Sequence, residues 1–119
     1  SQDVNEALFL MPSTAITSGG GQTGQDNGAA SSAGLTAWMQ VLDITDMASV
    51  GVIIQMDTVS NFAHPTTSIT FASVANGAEP FTVEGTAAGS VERYLRVNPT
   101  FGTPGGSPSL SIVVAILRG

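Results

Sequence analysis

From residue 36 onward, apolar and polar residues alternate with a period of two, the pattern of half-buried β-strands. In Ser49–Asp57, Val50, Val52, Ile54 and Met56 share one side, and Gly51, Ile53, Gln55 and Asp57 the other. Residues 36–42 set Ala37, Met39 and Val41 against Trp38, Gln40 and Leu42. Residues 67–74 turn Ile69 and Phe71 inward, residues 80–84 turn Phe81 and Val83 inward, and residues 91–98 set Val91, Arg93, Leu95 and Val97 against Glu92, Tyr94, Arg96 and Asn98. The last run, residues 108–118, carries a branched stripe of Leu110, Ile112, Val114 and Ile116. Its other side begins with Ser109 and Ser111 and turns apolar at Val113, Ala115 and Leu117, as in a central sandwich strand or one at a subunit interface. Residues 6–11 form a short apolar run, a strand or one helical turn.

Punctuation between these runs is of β type. Asn76 and Gly77 predict a tight hairpin joining residues 67–74 to 80–84. Residues 43–48 read as a turn or single helical turn capped by Asp43 or Asp46, and 58–66, 85–90 and 99–107 as loops. No run of ten or more residues has helical periodicity. The expected fold is all-β: an antiparallel, jelly-roll-like β-sandwich of six to eight strands with a long glycine-rich N-terminal arm.

That arm, residues 12–35, contains six of the fourteen glycines and a single charge, Asp26. It cannot bury enough apolar surface to offset its ordering entropy. Order in it therefore implies support from outside the chain's own core. The expected organisation is one domain: residues 1–35 as N-terminal segment and attachment arm, residues 36–119 as a sandwich complete without it.

Composition narrows the function. The chain carries a net charge of −6, with three Lys plus Arg, all of them Arg. This opposes binding to nucleic acid or to an anionic membrane surface. Charged residues are 10% of the sequence, against about 25% in an average soluble domain, which points to surface covered by other subunits. No apolar run approaches the roughly 18 residues of a membrane span. Cysteine is absent, no secretory leader pattern is visible at the start, and Pro99 blocks the near-sequon at Asn98; these features predict intracellular synthesis.

No catalytic, cofactor or metal set emerges. The glycine run 19–24 lacks the lysine of a phosphate loop. Asp43, Asp46 and Asp57 do not have calcium-loop spacing, and His64 is the only histidine. Arg93 and Arg96 suit ion pairs within a sheet or across an interface. Trp38 and Tyr94 are too few for the aromatic platform of a carbohydrate-binding sandwich.

Four segments in order, Ala7 to Leu10, Ser49–Asp57, residues 92–98 (ERYLRVN) and the closing strand from Leu110 to Arg118, resemble the small jelly-roll capsid cement, or decoration, proteins of tailed double-stranded DNA bacteriophages. The resemblance implies a non-enzymatic virion protein on the capsid exterior, made in the host cytoplasm, that bridges major capsid protein subunits and self-associates as a dimer or trimer. Its interface would draw on Leu8, Phe9, Leu10, Ile16, Trp38, Arg93, Tyr94 and Arg96. The alternatives are another phage virion β-protein of tail, neck or baseplate, or a carbohydrate-binding module.

Overall fold

The computed structural model describes residues 8–26 and 28–118, and for residues 8, 9 and 11–14 the backbone alone. Among the described residues, nine strands form two antiparallel sheets. They are β1 (Leu8–Ile16), β2 (Gln25–Asp26), β3 (Leu35–Thr45), β4 (Ser49–Asp57), β5 (Thr66–Thr70), β6 (Val74–Ala75), β7 (Phe81–Ala87), β8 (Tyr94–Gly102) and β9 (Ser109–Arg118). One sheet runs β1-β9-β3-β7; the other runs β2-β8-β4-β5, with β6 on the start of β4. No helix occurs among the described residues, and the expected all-β sandwich is the observed one.

The period-two pattern builds the core. Leu110, Ile112, Val114 and Ile116 of β9 and Ala37, Met39 and Val41 of β3 face Val50, Val52 and Ile54 of β4 and Leu95 and Val97 of β8. Each is at most 1% exposed, and each large side chain contributes about 1.5–3 kcal/mol by leaving water.

The hairpin expected at Asn76 and Gly77 is not formed. β5 pairs with β4 in one sheet, whereas β7 pairs with β3 in the other. The turn exists, closed by Ala78 N donating to Ala75 O at 3.1 Å, but Gly77 alone has positive φ, +100°. That is the geometry of a type II turn, whose twist does not suit a two-residue hairpin. The Asn76 side chain instead donates to Met47 O, and Glu79 accepts from Gly77 N and Ile44 N. These bonds carry the chain from one sheet to the other. The predicted 91–98 strand also shifts, starting at Tyr94 and running on through Pro99 to Gly102.

The arm departs most from expectation. β1 is an edge strand of the four-stranded sheet, and its Leu10 and Ile16 are each 4% exposed in the core. From there the chain crosses to the free edge of β8. Gly20 N donates to Pro99 O at 2.9 Å and Gln22 N to Val97 O at 2.8 Å; β2 pairs with Leu95 and Tyr94; Ser31 and Val91 exchange two backbone bonds. Support from outside is thus replaced by the chain's own β8, and residues 8–35 supply strands to both sheets instead of hanging beside a sandwich complete from residue 36. Composition failed to show this because the order comes from backbone pairing more than from apolar burial. Pro99 has no N–H, and it faces the same edge as its carbonyl, so a regular ladder cannot form there. A glycine-rich segment can still lie close. A Cβ on Gly21 would collide with the Arg96 guanidinium, and one on Gly24 with the Phe62 ring.

Two substitutions test this placement. Ile16→Ala should cost about 2–5 kcal/mol of unfolding free energy as a core truncation. Gly34→Ala combines φ +87° with a contact of 2.6 Å to Ala87 O and should cost about 1–3 kcal/mol. Denaturant midpoints measure both, and midpoints equal to wild type would show that residues 16–34 do not pack as described.

Candidate functional site

Because Leu95, Val97 and Pro99 of β8 turn into the core, Tyr94, Arg96 and Asn98 emerge on the outer face of the five-stranded sheet. In register across β4 stand Asp57, Gln55 and Ile53. Gln55 Oε1 accepts from Arg96 Nε at 2.8 Å and from Asn98 Nδ2 at 2.9 Å, so one carboxamide orients both neighbours. Tyr94, Arg96, Asn98, Gln55 and Ile53 are all half-buried.

The loop after β4 completes the cluster. The Asp57 carboxylate accepts from Thr58 N (2.6 Å), His64 N (2.9 Å), Val59 N (3.3 Å) and Thr58 Oγ1 (3.4 Å). Burial pushes its acidity the other way, but these donors outweigh it and hold the carboxyl below its ordinary value. The clasped loop places Phe62 in the left-handed region, φ 50°, with its ring 4.5 Å from Arg96 Cζ. Arg96 is therefore oriented by Gln55, faced by an aromatic ring and approached by the Gly21 backbone.

Beside it, Arg93 Nε and Nη2 grip the Asp26 carboxylate at 2.7 and 2.8 Å, joining the arm to β8, and Arg93 Cζ lies 5.2 Å from the centroid of the Tyr94 ring. The Arg93 hydrogen bonds, helped by Gly28 N, lower the Asp26 pKa to about 2. An open groove of about 480 Å³ adjoins Asn98, lined by Ser18 to Gly20 of the arm and by Thr100, Phe101 and Pro104.

Of the eight residues expected at an interface, Arg93, Tyr94 and Arg96 do come together here. Arg93 lies outside the alternation that was to align it with Leu95, since β8 begins only at Tyr94. Leu10 and Ile16 are corrected to core residues, because their strand closes the edge of the four-stranded sheet. The Leu8 and Phe9 side chains lie outside the described residues. Trp38 is half-buried on the outer face of the opposite sheet, in register with Ala115 and Glu84. Val113, Ala115 and Leu117 are half-buried on that same face. Sequence reasoning missed Gln55, Asn98 and Phe62; the β4–β8 register that unites them leaves no local signal.

The three aspartates considered for calcium stay apart. Asp43 accepts from Thr45 Oγ1, Asp46 Oδ2 from Ser107 N, and Asp57 from its loop. Among the described residues no group of three His, Cys, Asp or Glu gathers for a metal, and no helix is long and apolar enough to cross a membrane.

No family model and no curated protein matches the sequence. Among solved structures, the chain is similar to the N-terminal cellulose-binding domain of Cellulomonas fimi β-1,4-glucanase C, with a TM-score of 0.56, 13% identity, and coverage of 92% of this chain and 80% of that one. It also matches the CBM22-1–GH10 modules of Clostridium thermocellum xylanase 10B complexed with xylohexaose (TM-score 0.42, 14% identity, 80% of this chain and 17% of that one) and the Eiger TNF of S. frugiperda (TM-score 0.42, 12% identity, 92% and 94%). The first likeness is one of fold; the other two are too distant to bear on it.

The Asp26–Arg93 contact sets a pH dependence. A carboxyl with a depressed folded-state pKa stabilises the fold above its ordinary range near 4 and loses that contribution as pH falls towards about 2. The arm should therefore stay docked from pH 7 to about pH 4 and loosen below it, seen as a lower protection factor for the Gly28 amide and a shifted Arg93 Nε–H resonance. Asp26→Asn should abolish the transition; an unchanged arm down to pH 2 in wild type would contradict the contact.

Proposed function

We propose that the chain is a non-catalytic carbohydrate-binding module whose binding face is the outer face of the five-stranded sheet. The observation that carries this reading is the row Gln55–Arg96–Asn98. The Gln55 amide NH₂, the Asn98 carbonyl and the Arg96 Nη groups have no further hydrogen-bond partner among the described residues. Planar amides and a guanidinium suit the paired donors and acceptors of sugar hydroxyls, and here they are fixed before a ligand arrives, which lowers the entropy lost on binding. The fold supports the reading, since the Cellulomonas fimi domain of similar fold is named for cellulose binding. Tyr94 is already faced by Arg93, so recognition rests on hydrogen bonding more than on ring stacking.

Screening the chain on a glycan array, then measuring its best ligand by calorimetry, tests this. Gln55→Ala and Asn98→Ala should each weaken binding about 3- to 10-fold, the worth of one or two hydrogen bonds. Trp38→Ala, on the other sheet, should leave it unchanged. Loss on Trp38→Ala with no effect at Gln55 would move the site to the opposite face.

A second reading, the capsid cement protein, is favoured by one observation. The outer face of the four-stranded sheet presents Trp38, Val113, Ala115 and Leu117 half-buried, and β9 carries no charge from Ser109 to Leu117. A face of that composition suits a protein partner, such as a major capsid protein or another copy of the chain. Purified phage heads discriminate: hundreds of regularly placed copies support this reading, and absence from heads removes it.

A further inference from the structure

We propose that the polysaccharide recognised at this face carries carboxylates, and that Arg96 grips a uronic acid residue. The inference rests on the carbohydrate reading above and names its ligand class. Arg93 is paired with the Asp26 carboxylate, and the buried Arg118 donates to Ser31 Oγ and to the carbonyls of Val91 and Glu92. No carboxylate of the described residues lies within ion-pair reach of Arg96. This guanidinium is nevertheless half-buried against the Phe62 ring and the Gly21 backbone.

Its geometry selects the ligand. Gln55 holds Nε and so fixes the plane of the group, which leaves the two Nη nitrogens as an end-on fork matched to the two oxygens of a carboxylate. A partly desolvated cation gains more from an anion than from a hydroxyl. The flanking Gln55 and Asn98 amides then read the hydroxyls of the same or the next ring, which an acidic peptide lacks.

The overall charge of −6 weakens long-range attraction of an anion, so the preference rests on the short-range fork of Arg96. Asp26 is paired with Arg93, and the ionised Asp57 carboxylate is turned to four donors of its own loop. Asp43 and Glu84 belong to β3 and β7 of the opposite sheet.

The test compares an oligogalacturonide with its fully methyl-esterified form, equal in length and hydroxyls but uncharged. Calorimetry with the wild-type chain should find the acid form bound about 10- to 100-fold more tightly at low salt, the range of charge-assisted hydrogen bonds. The advantage should shrink in 0.5 M NaCl, a concentration at which screening is about twice as strong as at physiological salt. Arg96→Gln should bring the two forms to parity, and Arg96→Lys should keep only part of the preference. If Arg96→Gln does not fold, Gln55→Leu, which frees the fork, should lower the preference instead. Equal binding of acid and ester by wild type overturns this inference and leaves the carbohydrate reading standing. Binding of no glycan at all overturns both, and equal competition by polyglutamate of the same length overturns the assignment to a sugar.

Discussion

The Arg96 guanidinium meets three parts of the chain far apart in sequence. Gln55 of β4 holds its Nε, Phe62 of the following loop faces it at 4.5 Å, and Gly21 of the N-terminal segment presses its backbone against it. The loop presents Phe62 because Asp57 gathers four donors, and the arm passes over Arg96 because residues 21 and 24 have no Cβ. Both in turn require the β4–β8 register, which the apolar stripes of the core fix. A one-residue slip of β8 against β4 would turn Arg96 and Asn98 inward, away from Gln55, and Leu95 and Val97 out. The same hydrophobic pattern that closes the sandwich therefore also assembles the Gln55–Arg96–Asn98 row.

The glycine-rich segment gains a different meaning from this arrangement. Its composition describes how closely the backbone must approach β8, not how freely it moves. Pro99 prevents a complete ladder on that edge, and a short set of backbone bonds with the Asp26–Arg93 clasp takes its place. An unpaired edge on a strand as long as β8 would invite pairing with other chains, and the segment covers it. What stays uncovered on β8 is thus the sheet surface, not the sheet edge.

Much of the architecture was legible in the sequence. The inward stripes of β3, β4, β8 and β9 follow from period-two alternation, and so does the apolar outer side of β9. What failed were inferences about pairing partners. Asn76 and Gly77 mark a turn correctly, yet a turn dipeptide cannot say which sheet the next strand joins; Glu79 and the Asn76 side chain decide that through bonds to β3 and Met47. Leu10 and Ile16 looked like anchors for a partner because nothing local shows that β9 has a free edge for β1. Arg93, Tyr94 and Arg96 could be singled out as side chains in search of partners, but Gln55 and Asn98 become a site only through register.

Mapping by NMR tests most directly whether the outer face of the five-stranded sheet is the ligand face. Adding an acidic oligosaccharide to the isotope-labelled chain should shift the side-chain amides of Gln55 and Asn98, the Arg96 guanidinium and the backbone amide of Gly21, while Trp38 and Val113 stay in place. Shifts confined to Trp38, Val113 and Leu117, with Arg96 unmoved, would contradict it.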